Sequence, residues 1–478
     1  MSSSAASKTL TAAVDVAKWS AASMTRRRPM NCLASAPRLV SHPPDLIRWV
    51  RRQGGFVHPK LRIANHGSNG LGVSSDGEIS AGTDLISLPG HIPLRLPGYD
   101  ERCTVLFQLS QQVPEELWAM RLGLKLLQER ATTGSFWWPY ISNLPETFSV
   151  PIFFSGEDIK NLQYAPLVYQ VNKRCRFLLD FEKTVGALLE NVEQKSHPFS
   201  GQDVNASSLG WAMSAVSSRA FRLHSESLSD GQRTNIPMLL PLIDSCNHSF
   251  QPHAKIVQQQ ITGSSDMLVV AEKEIEQDNP ITLNYGFLSN DLFLLDYGFV
   301  IPSNPYDYVE LKYDATLLDA AGMAAGLSSP SFSSPAQWQE EILCQLNLLG
   351  DGATLKVSLG GSELVDGRLL AALRVLLVKD KELVQSHNLQ SLMALSDEAP
   401  LGILVETTAL RIIIALCVVA LEHFPTKVTQ DESVLKGSIP PSMSLAIQFR
   451  MQKKLMIIDV MRKLSQRIKM ISMRKSHA

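Results

Sequence analysis

Five polar side chains between residues 239 and 299 have the types and the order expected of a ligand-binding site. They are Asp244, Asn247, His248, Tyr285 and Tyr297. A metal site is not expected, because the run HSFQPH lacks the HExxH spacing and no second histidine or carboxylate pair stands at ligand spacing. Tyrosine hydroxyls can instead orient a reacting group by hydrogen bonding. Taken singly, each tyrosine fits a core residue with a satisfied hydroxyl, and Asp244 fits a turn former.

The same five residues carry a resemblance to a known family. An asparagine-histidine pair followed by two tyrosines resembles the SET-domain protein methyltransferases. The run DYGF at residues 296–299 is similar to the branch typified by the plant Rubisco large-subunit lysine methyltransferase. The resemblance implies S-adenosylmethionine as the cofactor and protein-lysine N-methyl transfer as the reaction. It is strong at residues 239–299 and diffuse towards the C-terminus.

The resemblance also implies a role for individual residues. Tyr285 is implied as the catalytic residue. The residues implied in cofactor binding are Asn69, Gly70, Leu71, Gly72, Arg219, Asn247, His248 and Tyr285. The residues implied in substrate binding are Arg219, Asp244, Tyr285 and Tyr297. Without the resemblance, residues 69–72 would be a hairpin turn and Arg219 a charge on a helix surface.

Methyl transfer from a sulfonium to an amine makes defined demands on such a site. It is an in-line displacement, which needs the reacting atoms held roughly 3–3.5 Å apart. The lysine must arrive as a neutral amine, and a dry apolar channel lowers its pKa. Neither a metal nor a covalent enzyme intermediate is required.

The order of elements predicts an α+β fold with distinct regions. Short β-rich runs with glycine turns, interrupted by helical periodicity, predict a SET β-fold at residues 43–302 with a large helical insertion at about 101–237. Amphipathic and apolar segments predict an all-helical domain at 303–478. The apolar run 412–421 is too short to span a bilayer and predicts a buried helix. The resemblance implies that this last domain docks a protein substrate.

Two regions outside the polar set shape the remaining expectations. The aromatic run at Trp137, Trp138 and Tyr140 matches the insertion of the Rubisco branch, and we expect these rings to be core residues without a ligand. The terminal helix is basic through residues such as Lys453 and Lys454, which we expect on a solvated face.

Composition limits the partners and the compartment. The formal net charge of -1 gives no case for nucleic acid as a partner, and the six cysteines show no paired spacing. Residues 1–42 are rich in serine and contain an arginine run, which predicts a transit peptide, with a disordered tail as the alternative. The resemblance favours the chloroplast stroma over the mitochondrion or cytosol. We expect a monomer.

Departures from the family pattern leave other functions open. Pro252-His253 stands where a Pro-Asn step is common, and Asp278 stands near an expected glycine. A SET-like structural subunit with weak or no activity is therefore one alternative, and a histidine N-methyltransferase is another. Tyr297, which suits a lysine channel, favours lysine. The sequence does not identify the substrate protein, the modified residue or the methylation state.

Overall fold

The computed structural model describes most of the chain beyond its first residues. It covers residues 37–67, 70–96, 104–190, 192–193, 196–226, 233–261, 264–350, 355–396 and 398–475. Most of the predicted leader and Asn69 therefore lie outside the described residues. The Leu39 amide donates to the Leu144 carbonyl at 2.7 Å, and Arg38 pairs with Pro145. This pairing joins residues 38–40 to the fold, a few residues before the predicted start near residue 43.

The strands of the predicted SET region form four small sheets among the described residues. A helix, α1 (Leu46–Arg52), is N-capped by Asp45 and precedes them. The strands are β1 Phe56–Val57, β2 Leu61–Asn65, β3 Leu71–Ser75, β4 Asp84–Leu88, β5 Leu94–Arg95, β6 Ala220–Glu226, β7 Arg233–Leu239, β8 Asn247–His248, β9 Ala254–Ile261, β10 Ser264–Ala271 and β11 Thr282–Leu283. Their orders are β1-β4-β10-β9, β2-β3, β5-β7-β6 and the parallel pair β8-β11.

A block of helices lies between β5 and β6. These helices are α2 Val105–Gln111, α3 Ala119–Ala131, α4 Trp138–Ile141, α5 Gly156–Asn161, α6 Ala165–Leu189 and α7 Ala206–Ser217. Helix α7 starts at a capping box formed by Asn205 and Ser208. It packs closely on α3, where a Cβ at Gly123 would lie 3.3 Å from the backbone of Ala212. The small residues thus allow the two helices to approach.

The predicted end of this insertion at residue 237 is wrong. Residues 220–239 form a hairpin, β6-β7, and β7 pairs in turn with β5, which precedes the helices. The helical block therefore ends at Ser217, and the chain then returns to the sheet that it left. The sequence does contain a signal for this hairpin, the Asp230-Gly231 step, which the helical prediction overlooked.

The C-terminal region is helical apart from one ribbon that the sequence did not predict. Strands β12 (Tyr308–Lys312) and β13 (Lys356–Gly360) pair antiparallel. The helices are α8 Asn290–Leu292, which leads into this region, then α9 Ala315–Ala324, α10 Gln337–Gln345, α11 Gly367–Leu376, α12 Lys381–Gln385, α13 Leu389–Met393, α14 Ile403–Glu422, α15 Val428–Leu435 and α16 Pro441–Lys475. The C-terminal helical character predicted for the fold is confirmed.

Helix α14 includes the predicted apolar run. By length and composition alone it could cross a membrane, but half of its most apolar window is buried inside the protein. It packs against α16, α9 and α11. The Glu406 carboxylate on α14 forms a two-pronged ion pair with Arg374 on α11, at 2.7 and 2.9 Å. Both side chains are fully buried, so this pair joins the helices from within the core.

The expectation of a solvated basic face on the terminal helix is wrong at two positions. The side chains of Lys453 and Lys454 are 0% and 3% exposed. Lys453 forms ion pairs with Asp291 and Asp307, and Lys454 forms one with Asp431. The carboxylates are far from these lysines in sequence, so the charge pattern of the helix alone did not reveal them.

Candidate functional site

A cavity of about 260 Å³ brings most of the predicted site residues together. Its wall includes the predicted residues Gly70, Leu71, Arg219, Asp244, Asn247, Tyr285 and Tyr297. Among residues that were not predicted, Arg38, Asn143, Phe148, Ser149 and Phe299 also line it. Gly72 and His248 are not in the wall but contact residues that are. The sequence separation of these segments is large, and the small sheets bring them together.

Parallel pairing of β8 with β11 places the two halves of the motif side by side. Asn247 lies opposite Thr282, and His248 lies opposite Leu283. The chain leaving β11 then reaches Tyr285, whose amide donates to His248 Nδ1 at 3.1 Å. The asparagine-histidine pair and the first tyrosine are thus linked by backbone geometry.

The Tyr285 hydroxyl is fixed by one strong contact. It donates to the carbonyl oxygen of Cys246 at 2.6 Å. A phenol has only one proton to donate, so towards the cavity the oxygen can act only as an acceptor. Burial raises the pKa of Tyr285, which keeps the hydroxyl protonated. This oxygen therefore presents lone pairs to any positively polarised group that enters.

Tyr297 packs against Tyr285 in the cavity wall and projects from a distorted helix. Helix α8 continues into a π-helical turn, Phe293–Tyr297, which ends at Gly298 with φ of 78°. A Cβ at Gly298 would lie 2.8 Å from the Ser149 carbonyl, so glycine permits this close approach. The rings of Tyr297 and Tyr285 stack with centroids 5.2 Å apart and planes 20° apart. Burial and then the charge of Asp296 raise the pKa of Tyr297.

The glycine turn approaches the asparagine closely. A Cβ at Gly72 would lie 2.6 Å from Asn247 Nδ2 and 2.8 Å from His66 Cδ2. Gly70 has φ of 71°, in the left-handed region that favours glycine. Glycine at position 72 therefore permits the close approach to Asn247, and glycine at position 70 suits the left-handed backbone conformation.

The carboxyl group of Asp244 is buried, and only one of its two oxygens accepts a hydrogen bond. The Tyr140 hydroxyl donates to Asp244 Oδ2 at 2.5 Å, while Oδ1 has no hydrogen-bond partner. Arg219 Nη1 donates to the Asp244 carbonyl at 3.1 Å, and its Nε is buried without a partner. Burial raises the pKa of Asp244 to about 6, although the charge of Arg219 and the Tyr140 hydrogen bond oppose this rise.

His248 is neutral at physiological pH. Burial lowers its pKa to about 4, and its ring packs against Tyr285, Phe250 and Phe293. Its Nε2 is buried and has no partner. The described residues contain no group of three or more side chains that could hold a metal ion. A neutral imidazole places no positive charge beside the cavity, which suits a cationic ligand.

The two departures from the family pattern lie outside the cavity wall. His253 Nδ1 lies 3.0 Å from Thr282 Oγ1, and the His253 amide donates to the same oxygen at 3.1 Å. Asp278 adopts φ of 63°, the conformation that a glycine would favour, and its carboxylate pairs with Arg62 at 2.8 Å. Aspartate tolerates this conformation better than most residues.

Tyr140 is a site residue that the sequence analysis missed. It was expected to be a core aromatic without a ligand, and it is buried, but its hydroxyl holds Asp244. Trp137 packs against the core as expected and donates to the Ile92 carbonyl at 2.9 Å. Trp138 is 38% exposed, so the expectation of a core residue is wrong at that position. A hydroxyl on a ring that is otherwise buried was the available signal, since such a hydroxyl needs a partner.

Family sequence models match two parts of the chain. The SET domain matches residues 70–286, and the Rubisco LSMT substrate-binding domain matches residues 330–457. The two matches confirm the predicted resemblance to the SET-domain methyltransferases and to Rubisco LSMT. SET methyltransferases use S-adenosylmethionine, which confirms the predicted cofactor.

Individual relatives and solved structures agree with this family. The actin-histidine N-methyltransferase of Gallus gallus is 23% identical over 432 residues, which cover 86% of this chain and 66% of the relative. The Mus musculus enzyme of the same name is 24% identical, over 58% of this chain and 45% of its own length. The chain thus spans two thirds or less of the length of these relatives.

The solved structures show the fold. The SET domain of LSMT bound to lysine and AdoHcy superposes with a TM-score of 0.60 at 16% identity, covering 89% of this chain and 91% of that chain. Rubisco LSMT bound to AdoMet superposes with a TM-score of 0.58, covering 89% and 92%. The predicted fold class, a SET β-fold followed by a helical C-terminal region, is confirmed.

The cavity fits a ligand of this cofactor's chemistry. Asp244 Oδ1 and Arg219 Nε belong to residues of the cavity wall, and both atoms are buried without a protein hydrogen-bond partner. Buried polar atoms rarely lack partners, so two such atoms at one site indicate hydrogen bonds to be made with a ligand. S-adenosylmethionine carries amino, carboxylate and adenine groups that can make such bonds. Asn247, Arg219 and the 70–72 turn are the residues that would hold it.

Proposed function

We propose that this protein transfers a methyl group from S-adenosylmethionine to a side-chain nitrogen of a protein, with lysine as the acceptor. One observation carries the proposal: the stacked rings of Tyr285 and Tyr297 line one cavity with Asn247 and Asp244. The two stacked rings form one aromatic wall of the cavity, an apolar surface that suits an alkyl chain ending in an amine. A buried amine has a lowered pKa and is therefore available as a neutral nucleophile.

Some of the site residues hold the methyl donor, and the Tyr285 oxygen stabilises positive charge near the transferred methyl group. Bound S-adenosylmethionine supplies an electrophilic methyl carbon on a sulfonium. Asn247, Arg219 and Gly72 keep the donor side fixed, and the Tyr285 oxygen, whose proton is committed to Cys246, accepts weak hydrogen bonds from positively polarised groups. The neutral His248 adds no repulsion to a cationic donor. Alignment within this fixed wall provides most of the rate enhancement.

Histidine is the second candidate acceptor. The relatives of known name modify a histidine of actin. A neutral imidazole nitrogen is also a nucleophile at physiological pH, so the in-line geometry serves either acceptor. The difference lies in what the acceptor side chain contacts: a flexible alkyl amine can lie along the aromatic wall that the two stacked tyrosine rings form, whereas a planar imidazole needs a wider space and a partner for its second nitrogen. Tyr297 favours the amine.

We also propose that the helical region after residue 303 docks the protein substrate and that the chain acts as a monomer in the chloroplast stroma. The match to a substrate-binding domain supports the docking role. The serine-rich, acid-poor composition of residues 1–42 supports import into an organelle. A fluorescent protein fused after residue 42 should enter plastids in plant cells; cytosolic fluorescence would contradict the location.

The test of the proposed function uses the full chain and isotope-labelled S-adenosylmethionine. Stromal protein extract and monomeric actin are offered as separate acceptors, and mass spectrometry identifies the labelled side chain. Label on lysine supports the first candidate, and label on histidine establishes the second instead.

Cofactor binding is measured in parallel by calorimetry with S-adenosylmethionine and S-adenosylhomocysteine. Binding in the micromolar range, about -8 kcal/mol, that is lost in Asn247→Ala would establish the cofactor site. A folded sample that binds neither compound would refute the enzyme and support a structural role for the chain.

A further inference from the structure

The segment that carries Tyr297 begins at the boundary between the SET region and the helical region. Asn290, its first residue, is fully buried. The Asn290 amide donates to Asp307 Oδ1 at 2.9 Å, and its side chain exchanges two hydrogen bonds with the backbone of Ile301, at 3.0 and 2.9 Å. The start of the segment is thus anchored through Asp307.

The cation that neutralises this anchor comes from α16. Lys453 Nζ donates to Asp307 Oδ1 at 2.8 Å and to the Tyr308 carbonyl at 2.6 Å, and it also forms an ion pair with Asp291. Burial alone would lower the pKa of Lys453, but the two carboxylates outweigh burial and raise it, so the lysine is charged. One ammonium group therefore serves two acidic residues, and Asp291 belongs to the Tyr297 segment itself.

The far end of the segment is held from another side. Arg174 Nη1 donates to Asp296 Oδ1 at 2.7 Å, and Gly298 contacts the Ser149 backbone. Between the two anchors the chain forms the π-helical turn Phe293–Tyr297, an irregular conformation that needs support from its surroundings. Arg174 belongs to the SET region, so Lys453 is the contribution of the helical region to this segment.

We propose that Lys453 is a positioning residue through which the helical domain sets the position of Tyr297. The proposal rests on the function proposed above for the Tyr285–Tyr297 pair. Removing one partner from a buried ion cluster leaves uncompensated charge, and the segment must then shift or admit water. A displacement of about 1 Å at a reacting site can lower the rate about 100-fold.

Arg450 provides a matched control on the same helix. It is also buried, and it forms an ion pair with Asp431 and donates to the Asn161 carbonyl at 2.9 Å. It therefore joins α16 to the SET region without touching the Tyr297 segment. Lys453→Met and Arg450→Met each remove one buried cation from α16. Only Lys453→Met removes a partner of Asp291 and Asp307, which hold the start of the Tyr297 segment.

The experiment compares both variants of the full chain at a temperature where each is folded. Amide hydrogen exchange of residues 290–299 reports on the segment without requiring turnover. Turnover is measured on whichever acceptor the wild-type protein labels. In Lys453→Met, exchange at 290–297 should rise and kcat should fall about 10- to 100-fold. In Arg450→Met, exchange there should stay as in the wild type, and kcat should change less than about threefold.

Equal exchange at 290–297 in the two variants would overturn the proposal, because Lys453 would then act only through general stability. Asp307→Ala is a second variant, which removes the carboxylate that holds both the Asn290 amide and Lys453 Nζ. It should raise the same exchange, and protection unchanged from the wild type would also overturn the proposal. Because exchange needs no acceptor, this result is independent of whether the wild-type protein methylates lysine, histidine or neither.

Discussion

Two buried charged clusters in this protein differ in how completely they are satisfied. In the helical region, Arg374 and Glu406 bind each other through two contacts, and Arg374 Nη1 also donates to the Leu392 carbonyl at 2.6 Å. In the cavity wall, Asp244 is buried and Arg219 is half-buried, yet the buried atoms Asp244 Oδ1 and Arg219 Nε have no hydrogen-bond partner. A protein that only needed stability would close these bonds internally. The comparison therefore separates charges that maintain the fold from charges kept available for a ligand.

The largest effect should come from breaking the satisfied cluster. Arg374→Met leaves Glu406 buried without its partner, so the free energy of unfolding should fall by about 3–5 kcal/mol. Cofactor affinity of the remaining folded protein should be unchanged, since the pair lies outside the cavity wall. Chemical denaturation and calorimetry measure the two quantities.

Arg462→Met is the control for that prediction. Its ion pair with Asp459 has side chains 64% and 37% exposed, so its loss should cost less than about 1 kcal/mol. Equal destabilisation in the two variants would show that the buried pair at Arg374 contributes no more to the free energy of unfolding than an exposed ion pair does.

A change in the cavity should instead affect turnover. Tyr285→Phe removes the hydroxyl that accepts from the reacting groups, and we expect kcat to fall about 100- to 1,000-fold. Binding of S-adenosylhomocysteine should change less than about threefold, because the ring remains. Tyr313→Phe, at another tyrosine that is only 8% exposed, is the matched control and should leave kcat unchanged. Unaltered turnover in Tyr285→Phe would remove the catalytic role.

The sequence predicted those parts of the site that follow from local order. Asn247, His248, Tyr285 and Tyr297 stand in a sequence that resembles the family, and the parallel pairing of β8 with β11 brings the first three together. Periodicity likewise predicted the helices, because each apolar stripe is local. Where Gly298 approaches Ser149, the contact depends on a turn whose π-helical form has no sequence signature of its own.

The features that were missed depend on distant partners. Tyr140 meets Asp244 over a separation of 104 residues, and Lys453 meets Asp291 over 162. A lysine in a basic helix gives the same local pattern whether it faces water or a buried carboxylate. Only the packing of α16 on the SET region distinguishes the two, and this packing results from the whole fold.

The unsatisfied cluster should also show itself in the pH dependence of stability. The pKa of Asp244 is raised from 3.8 to about 6 by burial, so the folded protein binds a proton more tightly there than the unfolded chain does. Its contribution to stability is complete below about pH 4 and is lost as the pH rises through about 6. Asp244→Asn cannot ionise and still accepts from Tyr140, so it should not show this loss.

The difference in unfolding free energy between Asp244→Asn and the wild type should therefore shift in favour of the variant between pH 4 and 7. The shift should reach up to about 3 kcal/mol. Asp180→Asn, at an aspartate whose side chain is 76% exposed, should show no such trend. A difference for Asp244→Asn that stays constant with pH would mean that Asp244 is solvated rather than held unpaired.

The smallest effect is expected at His253, the departure that raised the alternative of an inactive subunit. Its side chain meets Thr282 and not the cavity, so His253→Asn should leave the affinity for S-adenosylhomocysteine within about twofold. Loss of the contact with Thr282 should lower the free energy of unfolding by about 1 kcal/mol or less, the usual net value of one hydrogen bond. Calorimetry and denaturation of the same sample measure both quantities. A clear gain in affinity would show that His253 impairs the cofactor site through β11. In that case His253 would affect ligand binding as well as the stability of the fold.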